Sequence, residues 1–409
     1  MKEKVLYIGN YLNDKIKTYR GIPSSNIAGS NRMLRISNAL LNTRFSPIII
    51  SPADSFCAFS NNKFFINNLI CSESNIPIIF LPKINIKYLS LIFTPFICII
   101  YIYSLKKKYL INKIIIYNYS FTYLFIAIFI YIFTRVEIYS DIEDIPTINS
   151  DDFFSGNLKF LLLNIINFCL MRIIQILCIG NILPTVNFIN YLPKNKPYIL
   201  ISGCLTVPVN NIYSPSKYES LIIIFSGKIE REFGVVEFSK SLEILDNSLA
   251  AKNITVNVCG FGDMLSWLSN NLLDLKNINV NFYGQVSNKK YLEILSHSNL
   301  CIGLQDPLGK YGKTRTPSKV YEFMSYGKAV ITTNVGDLSV IPKDSIFICD
   351  PFNPKKLSEI ITLLSQNIAE LSSVGLNAHR YAELNFSYIS AGKKMSNFFS
   401  SSGIIADNT

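Results

Sequence analysis

Histidine, tryptophan and paired cysteines are scarce in this 409-residue sequence. It contains two histidines, one tryptophan and nine scattered cysteines, none of them in a C-x-x-C pair. The cysteines therefore predict neither a zinc site nor a disulfide framework, and a reducing cytosolic location is expected. The opening residues, MKEKVLYIGN, lack the apolar core of a signal peptide and pass directly into a predicted strand.

Charged residues are also few, at 16% of the sequence, and acidic residues are in deficit. There are 28 Asp and Glu against 39 Lys and Arg, which gives a net charge of +11. A disordered chain is excluded, because 49% of the residues are hydrophobic. The basic excess indicates an anionic partner such as a phosphorylated small molecule or an acidic membrane surface. Nucleic acid is not expected, since the basic residues are dispersed and no recognition motif is present.

The length and the pattern of the chain predict two α/β domains. A strand, a glycine-containing loop, a helix and a second strand open the first half, as in a doubly wound sheet. That loop lacks G-x-G-x-x-G, so no dinucleotide cofactor is expected. Another apolar run predicts a strand at Ile176–Ile179. The predicted boundaries are 1–205 for the first domain, 206–217 for a linker, 218–384 for the second domain and 385–409 for a helix crossing back to the first domain with a frayed tail.

Residues 87–108, KYLSLIFTPFICIIYIYSLKKK, are the most lipid-like part of the chain. Their uncharged run, Tyr88–Leu105, is at the length threshold of a membrane-spanning helix. Pro95 interrupts the run, and predicted strands continue on both sides of it. Three interpretations remain open: a spanning helix, a buried helix, or a helix lying in the membrane interface with flanking lysines on anionic headgroups. These lysines are Lys83, Lys87 and Lys106–Lys108.

The stretch TPSKVYEFMSYGKAVIT, residues 316–332, predicts a short helix that leads into a buried strand. Thr316 is the expected N-cap, Pro317 suits the first helical position, and Gly327 can close the helix. Lys319 and Glu322 stand three apart and therefore share one face.

A lysine and a carboxylate in the first turns of a helix suit two different partners. The positive helix N-terminus and the lysine suit a phosphate, whereas the carboxylate suits a sugar hydroxyl. The alternative is an ordinary surface ion pair.

The run P-S-K-V-Y-E-F-M-S-Y-G-K-A-V-I-T-T resembles the donor-binding segment of glycosyltransferase family 4 and its GT-B relatives. The resemblance covers Leu221 to about Leu384 well, and the first domain mainly in layout. It implies two Rossmann-like doubly wound parallel-sheet domains facing a central cleft. It also implies that Glu322 holds the ribose of a nucleotide-sugar and that Lys319 meets its diphosphate.

On the donor side, the resemblance implies a strand–glycine–basic loop under the phosphates, with catalytic roles for Glu322, Lys319 and Lys228. The implied donor-binding residues are Gly227, Arg231, Gly260, Gly262, Gly284, Pro317 and Ser318. The sequence departs from the family pattern at two positions. Phe233 stands where many members carry a lysine, and Thr314 replaces the first glutamate of E-x7-E.

On the acceptor side, the resemblance makes Gly29, Ser30 and Arg32 candidates, because the first loop of such enzymes touches the transferred sugar or the acceptor. Asp144 is a further candidate in the sequence DIED, which follows a predicted strand at the ligand edge of the sheet. The same carboxylates have two other interpretations: a divalent-metal site like the D-x-D of GT-A enzymes, or simple capping of a loop. With the GT-B pattern, no metal is expected.

The resemblance thus implies a retaining, metal-independent glycosyltransferase. The expected donor is a nucleotide-diphosphate sugar, and the expected acceptor is a hydroxyl of a lipid-linked glycan of O-antigen or capsule assembly. The expected location is cytoplasmic, peripheral to the inner face of the bacterial membrane. Two alternatives are a nucleotide-sugar 2-epimerase and a catalytically silent membrane scaffold.

Overall fold

The computed structural model describes residues 2–22, 28–52, 65–146, 158–208, 220–248, 253–309, 312 and 317–401. The chain forms two compact units. Unit 1 comprises the chain up to Cys204 together with the segment from Tyr388 onward, and unit 2 spans Leu205–Ser387. The predicted linker lies outside the described residues from position 209.

Unit 1 is built on strands β1 (Glu3–Ile8), β2 (Phe45–Ser51), β3 (Phe65–Ile66), β4 (Leu69–Glu73), β5 (Ile76–Phe80), β6 (Lys83–Ile84), β7 (Ile111–Tyr117), β8 (Glu137–Asp141), β9 (Gly180–Leu183) and β10 (Tyr198–Leu200). Eight of them form one sheet in the order β10-β9-β8-β7-β1-β2-β5-β4. Its neighbouring strands are parallel except β4 and β5. β3 and β6 form a separate antiparallel pair.

The helices of unit 1 are α1 (Asp14–Arg20), α2 (Ala28–Leu41), α3 (Lys87–Lys108), α4 (Phe121–Phe133), α5 (Leu158–Leu177) and the C-terminal helix (Tyr388–Ser400). They cover both faces of the sheet. Successive side chains of a strand point to opposite faces, so the partners of neighbouring β1 residues show which helices lie on each face. Val5 and Tyr7 of β1 share a core with α2 and the C-terminal helix. Leu6 and Ile8 share a second core with α3, α4 and α5. The two sets of helices therefore lie on opposite faces.

The strand predicted at Ile176–Ile179 is wrong. Helix α5 continues to Leu177, and β9 begins only at Gly180. Ile174 and Cys178 are fully buried in the same core, four residues apart. The apolar run therefore completes the buried stripe of a helix, a pattern that a short apolar sequence does not distinguish from a strand.

Unit 2 is built on strands β11 (Leu221–Lys228), β12 (Ile254–Phe261), β13 (Asn279–Gly284), β14 (Leu300–Gly303), β15 (Ala329–Thr333) and β16 (Phe347–Cys349). All neighbours are parallel, in the order β13-β12-β11-β14-β15-β16. This is the strand order of the Rossmann fold, whose direction of winding reverses between the first and fourth strands. The helices are α6 (Val235–Asp246), α7 (Leu265–Leu272), α8 (Asn288–His297), α9 (Ser318–Ser325), α10 (Pro354–Gln366) and α11 (Ile368–Phe386).

Candidate functional site

The residues predicted to bind the donor lie where the winding of the unit 2 sheet reverses. β11 and β14 are adjacent there, and ligands of open α/β sheets bind outside the carboxyl ends of such strands. β11 ends in Gly227-Lys228, and the chain that leaves β14 forms α9. Both parts of the predicted donor site therefore come from the two strands at this point.

Helix α9 starts one residue later than its sequence predicts. Pro317 occupies the N-cap position with extended backbone, and the helix begins at Ser318; Thr316 lies outside the described residues. A proline side chain has no atom that can accept a hydrogen bond from the N–H groups of the first turn, so it leaves them to other partners. Gly327 follows the helix with φ of +69°, as a terminating glycine requires.

Lys319 and Glu322 form an ion pair on the partly exposed face of α9. The Lys319 Nζ lies 3.1 Å from Glu322 Oε2, and the two side chains are 34% and 26% exposed. The same Nζ lies 4.2 Å from the centroid of the Tyr291 ring on α8. Burial and the neighbouring Glu322 charge raise the pKa of Tyr291. The lysine is thus positioned by a carboxylate and a neutral aromatic ring.

The lysine also stands beside the loop that leaves β11. A Cβ added to Gly227 would lie 3.8 Å from Cγ of Lys319. Gly227 has φ of +118°, a conformation that favours glycine. Because Gly227 has no side chain of its own, the Lys319 side chain can lie directly beside its backbone.

Gly260 and Gly262 allow the end of β12 to approach the β11 loop closely. A Cβ at Gly260 would lie 2.0 Å from the carbonyl oxygen of Gly227, and one at Gly262 would lie 2.4 Å from that of Ile229. Gly284, at the end of β13, has φ of +61° and open space around it. These glycines shape the carboxyl edge of the sheet in two different ways, by close contact and by conformation.

Gly260→Ala is expected to destabilise unit 2 by about 2 kcal/mol, since its methyl group overlaps the Gly227 carbonyl. Gly284→Ala is the matched control, because it carries only the conformational cost of a left-handed residue, about 1 kcal/mol. The single tryptophan, Trp267, lies on α7 of unit 2, so urea unfolding followed by its fluorescence measures both variants. Equal stability of Gly260→Ala and wild type would contradict the close packing of the ends of β11 and β12.

The other two predicted basic residues lie at the end of β11 and just after it. Lys228 Nζ is 3.2 Å from Glu230 Oε1, and its side chain is 51% exposed. Arg231 begins a single 3-10 turn, Arg231–Phe233, and is exposed. Among the described contacts, neither residue shares a partner with Lys319. The structure therefore groups Lys319, Glu322 and Gly227 more tightly than it groups the two loop cations.

The acceptor-side candidates lie at the corresponding edge of the unit 1 sheet, beside β1 and β7. Arg32 donates to both carboxylate oxygens of Asp141, at 2.7 to 3.1 Å, and Asp141 is fully buried. Tyr7 donates its hydroxyl to the same carboxylate. The Arg32 guanidinium is therefore held in a buried ion pair, which fixes α2 to the end of β8.

Gly29 and Ser30 have local packing roles at this edge. A Cβ at Gly29 would lie 2.4 Å from the hydroxyl oxygen of Tyr117, so glycine makes room for that ring. The Ser30 hydroxyl oxygen accepts a hydrogen bond of 2.8 Å from the backbone N–H of Leu12.

The two partly exposed carboxylates of the edge are Glu143 and Asp144. Tyr117 donates to Glu143, and the Asn118 side chain accepts from the backbone N–H of both acidic residues. Burial raises the pKa of Glu143, although Arg32 acts against it. Asp144 lies 3.5 Å from the amide nitrogen of Asn118. The sequence pattern offered Glu143 only as one of the DIED carboxylates, and its hydrogen bond with Tyr117, 26 residues away, had no local signal.

The described part of the chain contains no group of three or more His, Cys, Asp or Glu residues that could hold a metal ion. At the DIED segment, the Asp141 carboxylate is instead bound by Arg32 and Tyr7. A cation there would have to displace an arginine that already neutralises the buried charge.

Comparison with known proteins gives both a family and a fold. Residues 212–380 match the family Glycosyl transferases group 1, whereas no curated protein sequence matches the chain. Sucrose-phosphate synthase from Thermosynechococcus elongatus is similar in structure, with TM-score 0.64, 14% identity and coverage of 98% of this chain and 99% of that one. A glycosyltransferase from Rickettsia africae gives 0.64 at 13% identity, with 100% of both chains covered.

HepE from Anabaena, solved in complex with UDP and glucose, gives a TM-score of 0.63 at 15% identity, with 98% of this chain and 100% of that chain covered. These similarities at low identity establish the fold, and the family match establishes the domain that carries the candidate site. Residues 212–380 therefore match the glycosyl transferases group 1 family, and the whole chain has the GT-B fold of glycosyltransferases.

Proposed function

We propose that this glycosyltransferase moves a sugar, with retention of anomeric configuration, from a nucleotide-diphosphate sugar to a hydroxyl of a lipid-linked glycan. The observation that carries the proposal is the Lys319–Glu322 pair on the first turns of α9, beside Gly227. The proposed setting is surface-polysaccharide assembly, O-antigen or capsule, at the cytoplasmic face of a bacterial membrane.

The donor would replace the partners that Lys319 and Glu322 now provide for each other. A partly exposed ion pair contributes about 1 kcal/mol or less, so it is readily exchanged. The diphosphate offers the lysine a doubly charged partner at a helix N-terminus, where anions are favoured. The ribose hydroxyls offer the carboxylate two donors, and charge-assisted hydrogen bonds of this kind are the stronger ones.

The same groups support departure of the nucleoside diphosphate. Negative charge develops on the β-phosphate as the glycosidic bond breaks, and preorganised positive groups lower that barrier. Lys319, the N-terminus of α9 and the backbone beside Gly227 would supply this stabilisation. The proposed mechanism therefore needs no metal cofactor, and retention without a protein nucleophile follows the family resemblance.

A uridine nucleotide is the first donor to test, because HepE was solved with UDP and with UDP-glucose. Isothermal calorimetry of the folded chain against UDP, GDP, ADP and UDP-glucose should show micromolar binding of one nucleotide. The products of turnover with a lipid-linked acceptor should keep the anomeric configuration of the donor by NMR. If none of these nucleotides binds, the donor site is refuted and a silent scaffold is favoured. Conversion of the donor alone to its 2-epimer would favour the epimerase.

A further inference from the structure

One face of unit 1 exposes large apolar side chains over three neighbouring helices. On α3 they are Leu89, Leu91, Ile92, Phe93, Phe96, Ile100 and Tyr103. On α4 they are Phe121, Phe125, Ile128, Tyr131, Ile132 and Phe133. On α5 they are Leu162, Leu163, Ile165, Ile166, Ile173 and Ile176. We call this surface the apolar platform. Soluble monomers rarely expose contiguous apolar patches of such extent.

The platform is continuous across the helices. Helix α4 packs against α3 on one side and against α5 on the other. Phe96 of α3 and Phe125 of α4, 49% and 44% exposed, have ring centroids only 5.2 Å apart. The exposed residues of α3 and α4 therefore form one surface, and α5 packs beside α4.

The charges of the three helices have one sign. Their sequences contain no acidic residue, and α4 contains no charged residue at all. Three exposed lysines, Lys106–Lys108, form the last turn of α3, and Lys107 lies 4.7 Å from the ring centroid of Tyr103. An apolar surface bordered by cations and tyrosines is complementary to a bilayer with anionic headgroups.

Helix α3 is held against unit 1 by one buried stripe. Among the described helices it alone is long and apolar enough to cross a membrane, with 28% of its most apolar stretch buried. Its buried residues Ser90, Thr94, Cys98 and Ile102 follow at intervals of four. Cys98 and Ile102 pack against the strands of unit 1. A spanning orientation would detach this stripe from the core, whereas an orientation along the surface leaves it in place.

We infer that the apolar platform docks unit 1 on an anionic lipid bilayer, with its apolar side chains in the interface and Lys106–Lys108 on phosphate headgroups. This inference deepens the proposed function. It rests on that proposal only in assuming that the acceptor is carried by a lipid. A second copy of the chain is the competing occupant. If the platforms of two copies met, Lys106–Lys108 of one copy would either face the same lysines of the other copy or lie outside the contact. Neither arrangement uses their positive charge.

Vesicle flotation tests the inference. The full chain should float with vesicles of phosphatidylglycerol and phosphatidylcholine in equal parts. The double variant Phe96→Ser/Phe125→Ser should bind them on the order of 10-fold more weakly, because two half-exposed rings no longer enter the interface. Replacement of Lys106–Lys108 by glutamine should weaken binding on the order of 100-fold, and added salt should abolish the difference from wild type.

Ile389→Ser is the matched control. Ile389 is 73% exposed on the C-terminal helix, which covers the opposite face of the unit 1 sheet. This variant should float like wild type. The inference is overturned if wild type stays with the bulk solution, if the control weakens binding as much as the double variant, or if sedimentation shows a dimer that only the double variant dissociates. Nucleotide binding by calorimetry should be unchanged in every variant, so failure of the donor site is scored separately.

Discussion

Glu322→Gln is expected to weaken binding of the donor nucleotide by roughly 100-fold, equivalent to about 2.7 kcal/mol. Glutamine keeps the shape of the side chain but loses the charge and one of the two acceptor oxygens. It also removes the carboxylate that lies 3.1 Å from Lys319. Isothermal calorimetry with the nucleotide that wild type binds measures the change.

The chain offers a closely matched control for this substitution. Glu293 pairs with Lys290 at the same spacing of three residues, at 2.9 Å, on the neighbouring helix α8. This pair is more exposed, at 46% and 56%, and it does not adjoin the Gly227 loop in any described contact. Glu293→Gln should leave nucleotide affinity unchanged within about twofold. Equal losses in the two variants would show that net charge, rather than the position of Glu322, governs binding.

The side-by-side position of Lys319 and Glu322, in the proposed donor site, was predictable because its geometry is local. Two residues three apart on a helix lie on one face whatever the rest of the fold does. A glycine at the end of a buried strand likewise indicates a close backbone approach. The sequence did not predict the Tyr291 ring beside Lys319. The two residues are 28 positions apart, and a contact at that distance leaves no periodic pattern in the sequence.

The acceptor side shows the opposite case. Asp141 was predicted at the ligand edge of the sheet, and it does end β8. Its partner Arg32 lies 109 positions away, and no local pattern indicates that the two charges neutralise each other. Asp144 and Glu143 remain partly exposed at the same edge, and Asp144 stays a prediction for acceptor contact.

The apolar runs were visible in the sequence, but the surface they form was not. Residues 88–105 suggested a single helix, whereas the platform also needs α4 and α5 beside it. The three are brought together by the parallel sheet, whose crossovers place consecutive helices on one face. The packing of the helices on the sheet, which the sequence does not reveal, decides which residues of α3 are buried and which are exposed.

Asp141→Asn is expected to lower the free energy of unfolding of unit 1 by about 3–5 kcal/mol. The substitution removes the bidentate partner of the Arg32 guanidinium, whose side chain is only 12% exposed, and leaves Glu143 as the nearby negative charge. It also weakens the hydrogen bond that the Tyr7 hydroxyl donates to the Asp141 carboxylate. That hydroxyl stays protonated, because burial and the Asp141 charge raise the pKa of Tyr7. Asp14→Asn, in the same unit, is the control, because its carboxylate is fully exposed and lies 3.9 Å from Lys17; it should leave the free energy of unfolding nearly unchanged.

The two units can be followed separately in this experiment. Trp267, the single tryptophan, reports on unit 2, whereas far-ultraviolet circular dichroism reports on both units. In urea, Asp141→Asn should shift part of the dichroism transition to lower concentration and leave the tryptophan transition in place. A dichroism transition that is unchanged would mean that water or a rearranged Arg32 side chain compensates the lost carboxylate. The ion pair would then be free to exchange with a ligand, and Arg32 would return as a residue available to the acceptor.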